Sequence, residues 1–70
     1  MIKLYGTHCP KCNVIEKKLN MKGIEFKMID NNEEVVKFGE EHEIMSLPIL
    51  ELEDGSVLDF TGANKWISMN

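Results

Sequence analysis

Apolar and polar residues recur along the first half of the chain with periods that predict a strand followed by a helix. Residues 2–5 form a short apolar run that predicts the first strand. A helix is expected from Pro10 to Lys22, because Cys12, Ile15 and Leu19 recur at spacings of three and four. Proline suits the first turn of a helix, where its missing N–H has no intrahelical partner to lose. One of the two cysteines is therefore expected on the core-facing side of this helix.

The middle of the chain predicts a second strand and a second helix. Residues 24–28 alternate between apolar and polar, as in a half-buried strand near the edge of a sheet. The second helix is expected over residues 33–43, and the spacing of Asn31 and Glu34 resembles a capping box at its start.

The remaining residues predict a hairpin and a last helix. Strands are expected at residues 48–52 and 57–60, joined at Asp54-Gly55, which is a strong hairpin signal. A short final helix holds Ala63, Trp66 and Ile67. The order β-α-β-α-β-β-α predicts a single α/β domain over residues 1–70. The first two strands should be parallel and the last two antiparallel, in one mixed four-stranded sheet with helices on both faces.

Composition and charge narrow the functional classes. The chain has 70 residues, with 29% charged residues and a formal net charge of −4, and it contains no basic run. Nucleic-acid binding is therefore not expected. No apolar segment has the length of a membrane span or the form of a signal peptide, so we expect a cytoplasmic protein. We also expect it to be a monomer. Lasting structural disulfides are rare in that compartment, which favours a redox-active or metal-binding role for a cysteine pair.

The stretch "GTHCPKC" holds both cysteines, between the predicted first strand and first helix. Cys9 would lie at the helix N-terminus, where unpaired N–H groups and the helix dipole stabilise a thiolate. Cys12 would lie in the first turn, within reach of Cys9. We therefore predict that Cys9 is the attacking nucleophile and Cys12 the resolving thiol of a thiol-disulfide exchange, with Pro10 stiffening the turn between them.

Two segments resemble the thioredoxin superfamily, most closely the small glutaredoxin-like and NrdH-type redoxins. They are "LYGTHCPKC", similar to the strand, loop and CPxC motif of that family, and "IMSLPIL", similar to its cis-proline segment. The resemblance covers essentially the whole chain and implies a minimal thioredoxin fold. It also implies a protein disulfide oxidoreductase with no tightly bound cofactor beyond a redox-active Cys9–Cys12 disulfide. The Leu47–Pro48 peptide bond would be cis, and the Leu47 backbone would pair with an extended substrate segment.

The resemblance also bears on the source of electrons. Redoxins that use glutathione usually carry a Gly-Gly pair and then an Asp at the last helix, whereas this chain has "DFTGANKW". Thr61 and Gly62 are closer to the NrdH-type pattern, so we expect reduction by a thioredoxin-reductase-type flavoprotein rather than by glutathione. Ribonucleotide reductase is the protein substrate that the resemblance implies. His8, Pro10 and Lys11, which lie within two residues of Cys9, are further candidate substrate-binding residues, as are Leu47, Pro48, Thr61 and Gly62.

A metal-binding module is the alternative reading of the cysteine pair. Heavy-metal-associated domains, including copper chaperones, also place a CxxC between a strand and a helix. Thr7 replaces the methionine of that family, and the predicted order of elements differs from its β-α-β-β-α-β order. A tetrahedral zinc site would need His8 and His42 beside the cysteines. We therefore expect no resident metal. Tyr5 is equally compatible with the site and with the core.

Overall fold

A mixed four-stranded sheet and three helices make up the fold, in a computed structural model that describes all residues from Met1 to Asn70. The elements are β1 (Ile2–Tyr5), α1 (Pro10–Met21), β2 (Phe26–Ile29), α2 (Asn32–Glu41), β3 (Ile49–Glu51), β4 (Val57–Leu58) and α3 (Phe60–Ser68). The strand order is β2-β1-β3-β4, with β1 and β2 parallel and the other pairs antiparallel. This arrangement confirms the predicted α/β class and order of elements. None of the helices is both long enough and apolar enough to cross a membrane.

Neighbouring residues of the central strands point to opposite faces of the sheet, as strand geometry requires. Leu4 of β1 and Leu50 of β3 are fully buried in a cluster that includes residues of α1 and α3. Tyr5 and Ile49, the adjacent residues of the same strands, belong to a smaller cluster with Val35 of α2. Helices therefore cover both faces of the sheet, as predicted, and each fully buried leucine contributes roughly 1.5–3 kcal/mol through its burial.

The second strand and the ends of the first two helices differ by one to two residues from the predicted bounds. The strand expected over residues 24–28 is β2, at Phe26–Ile29, because Ile24 still closes the end of α1 through a 3.0 Å bond to the Leu19 carbonyl. The helices expected over residues 10–22 and 33–43 end earlier, at Met21 and Glu41. The Asn31 side chain accepts a hydrogen bond from the Glu34 N–H at 3.2 Å, which confirms Asn31 as the N-cap of α2.

The predicted boundaries of the hairpin strands are also wrong. The strand expected over residues 57–60 ends at Leu58, and Phe60 is the first residue of α3. The physical reason is Asp59, whose side chain accepts a 2.8 Å bond from the Gly62 N–H and so caps the helix. The strand expected over residues 48–52 is limited to Ile49–Glu51, since Leu52 belongs to the turn.

A residue in the left-handed conformation lies two positions after the last residue of each of the first two helices, but the residue types differ. After α1 this residue is Gly23, with a φ of 69°. After α2 it is Glu43, with a φ of 56°, and the next N–H, from Ile44, donates to the Gly39 carbonyl at 2.9 Å. Only glycine takes this conformation without steric cost, because it has no Cβ. The end of α2 is therefore strained at Glu43.

Candidate functional site

Cys9 occupies the N-cap position of α1, as the sequence predicts. Its backbone is extended, with φ −69° and ψ 165°, and its Sγ accepts a hydrogen bond from the Cys12 N–H at 3.2 Å. Pro10 follows at the first helical position, and the Cys9 carbonyl accepts the first intrahelical bond, from Asn13 at 2.9 Å. A sulfur atom therefore serves as the capping acceptor, at the positive end of the helix dipole.

Cys12 lies behind Cys9, one turn into α1, and has no solvent exposure. It shares the buried face of the helix with Ile15 and Leu19, as the spacing of these residues predicts. Both cysteines are free thiols in the structure, and Cys9 is partly exposed. The pair thus combines one accessible sulfur with one inaccessible sulfur.

The surroundings of the two thiols shift their acidities in opposite directions. Desolvation would raise the pKa of Cys9, but hydrogen bonds from the Cys12 thiol and from the backbone N–H groups of Cys12 and Lys11 outweigh it and lower the pKa. Desolvation raises the pKa of Cys12, and its hydrogen bond to the Cys9 sulfur raises the pKa further. Cys9 is therefore the thiol that ionises first, whereas Cys12 keeps its proton and donates a hydrogen bond through it to the Cys9 sulfur.

Gly6, at the end of β1, is a site residue that the sequence reasoning missed. A Cβ built on Gly6 would lie 2.7 Å from Cys12 Sγ and 3.2 Å from Cys12 Cβ. The backbone of Gly6 is anchored to β2 by a bond from its N–H to the Ile29 carbonyl at 3.1 Å. Cys12 can therefore occupy its position only because residue 6 has no side chain. A glycine directly before a CxxC loop is the available sequence signal, but it does not specify this contact.

Asp30 is a second missed residue, and the parallel pairing of β1 with β2 places it at the site. Tyr5 pairs with Ile29, so the residues that follow these two strands emerge at the same edge of the sheet. There the Asp30 carboxylate lies 3.0 Å from Nε2 of His8. The hydrogen bond from His8 lowers the pKa of Asp30. The predicted parallel pairing of the first two strands was the signal that could have identified Asp30.

His8 itself lies in an exposed loop and has a positive φ of 62°. Histidine is one of the residues enriched in the left-handed region, although the conformation still strains it. The sequence offers His8 as a candidate substrate-binding residue, with an exposed loop residue as the alternative interpretation. In the structure the partner of its side chain is Asp30.

The segment before β3 lies next to the cysteine loop through the antiparallel pairing of β1 with β3. Tyr5 pairs with Ile49, so the continuation of this register sets Pro48 beside Gly6. The Leu47–Pro48 peptide bond is cis, as the family resemblance implies. Pro48 is buried, whereas the backbone of Leu47 makes no hydrogen bond to the rest of the chain.

Lys11, Thr61 and Gly62 lie where α1 and α3 begin. The Lys11 ammonium nitrogen is 5.3 Å from the centre of the Phe60 ring, in a cation–π contact that joins the first turns of the two helices. Thr61 is exposed in the first turn of α3, and the N–H of Gly62 is already bonded to Asp59. The structure therefore brings the CPKC motif and the start of α3 together through Lys11.

Tyr5 and His42 belong to an aromatic stack on the opposite side of the sheet from α1. The Tyr5 ring stacks on Phe38 with centroids 3.8 Å apart, and its residue is 7% exposed, which places it in the core. Burial raises the pKa of its hydroxyl. His42 packs against Phe38 at the end of α2 and donates from Nδ1 to the Phe38 carbonyl at 2.9 Å. No group of three or more His, Cys, Asp or Glu side chains is arranged to hold a metal ion.

No model of a known protein family matches the sequence, and no curated protein matches it significantly.

Proposed function

We propose that the protein is a thiol-disulfide oxidoreductase, an electron carrier that reduces protein disulfides through Cys9 and Cys12. The observation that carries the proposal is the inequality of the two thiols. One is partly exposed, caps a helix and has a lowered pKa, whereas the other is buried directly behind it and has a raised pKa. An attacking cysteine must be accessible and readily ionised, and a resolving cysteine must lie close behind it.

The proposed reaction has two exchange steps. First, the Cys9 thiolate attacks one sulfur of a substrate disulfide, the substrate S–S bond breaks, and the released substrate thiolate takes a proton from water. Then Cys12 gives up its proton to solvent, and its sulfur attacks Cys9 Sγ. This step breaks the mixed disulfide, closes the Cys9–Cys12 bond and releases the second substrate sulfur as a thiolate, which takes a proton from water. The cysteine pair donates two electrons in all, and both substrate thiolates are protonated from solvent, which also receives the proton of Cys12.

The position of Leu47 supports a polypeptide substrate. Its free backbone N–H and C=O lie at the end of β3 that borders the cysteine loop. An extended segment of a substrate protein could pair with these groups in a strand-like manner while its disulfide meets Cys9. Lys11, held beside Phe60, and exposed Thr61 would border such a segment on the α3 side.

The remaining parts of the proposal rest on the family resemblance. We expect a cytoplasmic, monomeric member of the glutaredoxin-like group, with no cofactor beyond its own disulfide and with ribonucleotide reductase among its substrates. Asp59, the acidic residue at the start of α3, caps the Gly62 N–H and precedes the position at which glutathione-using redoxins carry their aspartate. A thioredoxin-reductase-type flavoprotein is therefore the expected reductant.

A trapping experiment tests the assignment of the two cysteines. The Cys12→Ser variant should accumulate a mixed disulfide through Cys9 with a disulfide-containing protein substrate, detected by non-reducing electrophoresis and mass spectrometry. Cys9→Ser is the matched control and should trap none. Equal trapping by both variants would show that the assignment is wrong.

Turnover and metal content decide between the proposed function and the metal-binding alternative. The wild-type protein should reduce insulin disulfides, and NADPH consumption should couple to thioredoxin reductase rather than to glutathione with glutathione reductase. Activity only with glutathione would overturn the proposed reductant. Stoichiometric Cu(I) or zinc on the purified reduced protein, together with no insulin reduction, would overturn the redox proposal itself.

A further inference from the structure

Asp30 is a charged residue at the site for which the proposed chemistry has no use. It is brought there by the parallel pairing of β1 with β2, and its carboxylate lies 3.0 Å from the His8 ring. His8 directly precedes Cys9 in the chain. Asp30 thus contacts the nucleophile's neighbour rather than the nucleophile.

His8, the residue that Asp30 contacts, has a strained backbone. His8 has a φ of 62°, a conformation that a residue with a side chain keeps only where its surroundings hold it. The two paired side chains are 56% and 59% exposed, and exposed ion pairs add little to global stability. We therefore expect the His8–Asp30 pair to affect the conformation of the loop between β1 and α1 rather than the free energy of unfolding.

The backbone at His8 determines how the chain enters α1. Cys9 must be extended, with ψ 165°, for its Sγ to meet the Cys12 N–H at 3.2 Å. A loop that relaxed at His8 would change this entry and withdraw the sulfur from the N–H groups of the first turn. We propose that Asp30 is a positioning residue for Cys9, which holds the His8 ring and so keeps the loop in the conformation that presents the Cys9 sulfur to the helix N-terminus. This inference rests on the proposed function only in taking Cys9 as the reactive thiol.

The sign of one measurement separates this role from a simple charge effect. If Asp30 acted only as a nearby negative charge, its removal would favour the Cys9 thiolate and speed its alkylation at low pH. If Asp30 positions the loop, its removal weakens the cap, raises the pKa of Cys9 and slows alkylation. His8 is itself ionisable and can carry a positive charge beside Cys9, so Asp30→Asn is measured as well: it removes the charge of Asp30 but keeps an oxygen that can accept the bond from Nε2 of His8, and it should keep the wild-type rate if Asp30 acts by position. A rate in Asp30→Asn as slow as in Asp30→Ala would show an effect of charge alone and overturn the proposal. Lys11 and Cys12, the ionisable neighbours of Cys9 in α1, are unchanged in every variant.

The experiment measures the iodoacetamide alkylation rate of reduced protein against pH, with the modified cysteine assigned by mass spectrometry and the thiolate followed by its ultraviolet absorbance. Asp30→Ala should slow Cys9 alkylation by roughly three- to tenfold at a pH below the Cys9 pKa, where the rate follows the fraction of thiolate. Glu53→Ala, which removes an exposed carboxylate from the β3–β4 turn, is the matched charge control and should leave the rate unchanged. The urea midpoints of both variants should stay close to that of the wild type.

A double-mutant cycle tests whether Asp30 acts through His8. In a His8→Ala background, Asp30→Ala should have no further effect on the rate. A faster or unchanged rate in Asp30→Ala, or an undiminished effect in the His8→Ala background, would overturn the proposal. Since alkylation needs no disulfide substrate, the positioning role can hold while insulin reduction fails, or fail while insulin reduction holds.

Discussion

Replacing Gly6 with alanine should destabilise the protein through one contact, that with Cys12. The added Cβ would lie 2.7 Å from Cys12 Sγ, about 1 Å closer than a normal carbon–sulfur contact. The sulfur has no exposed side toward which it can move, because Cys12 is fully buried. Overpacking of this kind typically costs about 1–3 kcal/mol, which we expect as the loss in the free energy of unfolding.

The contribution of this contact can be isolated by urea denaturation of the reduced proteins in two backgrounds. In Cys12→Ala the Sγ atom is absent and only the 3.2 Å approach to Cβ remains. Gly6→Ala should then cost less than about 1 kcal/mol, giving a coupling energy of about 1–2 kcal/mol between the two positions.

Gly23→Ala is the control for the general effect of adding a methyl group to a glycine. A Cβ on Gly23 meets nothing within 4 Å, but its φ of 69° makes any side chain strained. We expect a loss of about 1 kcal/mol that is the same in both backgrounds. If Gly6→Ala also cost the same in both backgrounds, the reasoning about Cys12 would be refuted.

Two further predictions concern the end of α2 and the ionisation of Cys9. Glu43→Gly should raise the free energy of unfolding by about 0.5–1 kcal/mol, because glycine relieves the left-handed strain at this position. Glu43→Gln removes only the charge and should change the free energy of unfolding little. Equal effects of the two substitutions in urea denaturation would contradict this explanation. The pKa of Cys9 in the folded protein is lowered from 9.0, so ionisation of Cys9 stabilises the folded state. This contribution is fully present above the pKa of the unfolded state, and it is lost as the pH falls through the pKa of the folded state. The stability difference between the reduced wild type and Cys9→Ser should therefore grow with pH across that window, and a constant difference would show that the cap does not favour the thiolate.

The features that could be predicted from the sequence are those governed by local periodicity and turn chemistry. The spacing of Cys12, Ile15 and Leu19 identifies the buried face of α1, and Asp54-Gly55 marks the hairpin, where Gly55 has a φ of 92°. The placement of Cys9 at the helix start follows from Pro10 in the same way. In each case neighbours in the chain determine the conformation.

The features that could not be predicted depend on contacts between distant segments or on competition between two local signals. The need for glycine at position 6 arises from the Cys12 sulfur, and the role of Asp30 arises from the pairing of two strands. Phe60 continues the apolar pattern of the strand before it, but Asp59 offers a helix cap at the same point. Periodicity alone could not decide between these two signals.

The use of a sulfur atom as the cap of α1 links two equilibria. In the proposed reaction Cys9 alternates between a thiolate, which gives the N–H groups of the first turn a charged acceptor, and a disulfide sulfur, which gives them a neutral one. Helix stability and reduction of the cysteine pair are therefore thermodynamically coupled, since whatever tightens the cap favours the reduced form. A substitution in the first turn of α1 that touches neither thiol should shift the reduction potential in proportion to the change it makes in the free energy of the thiolate-capped helix relative to the disulfide-capped one.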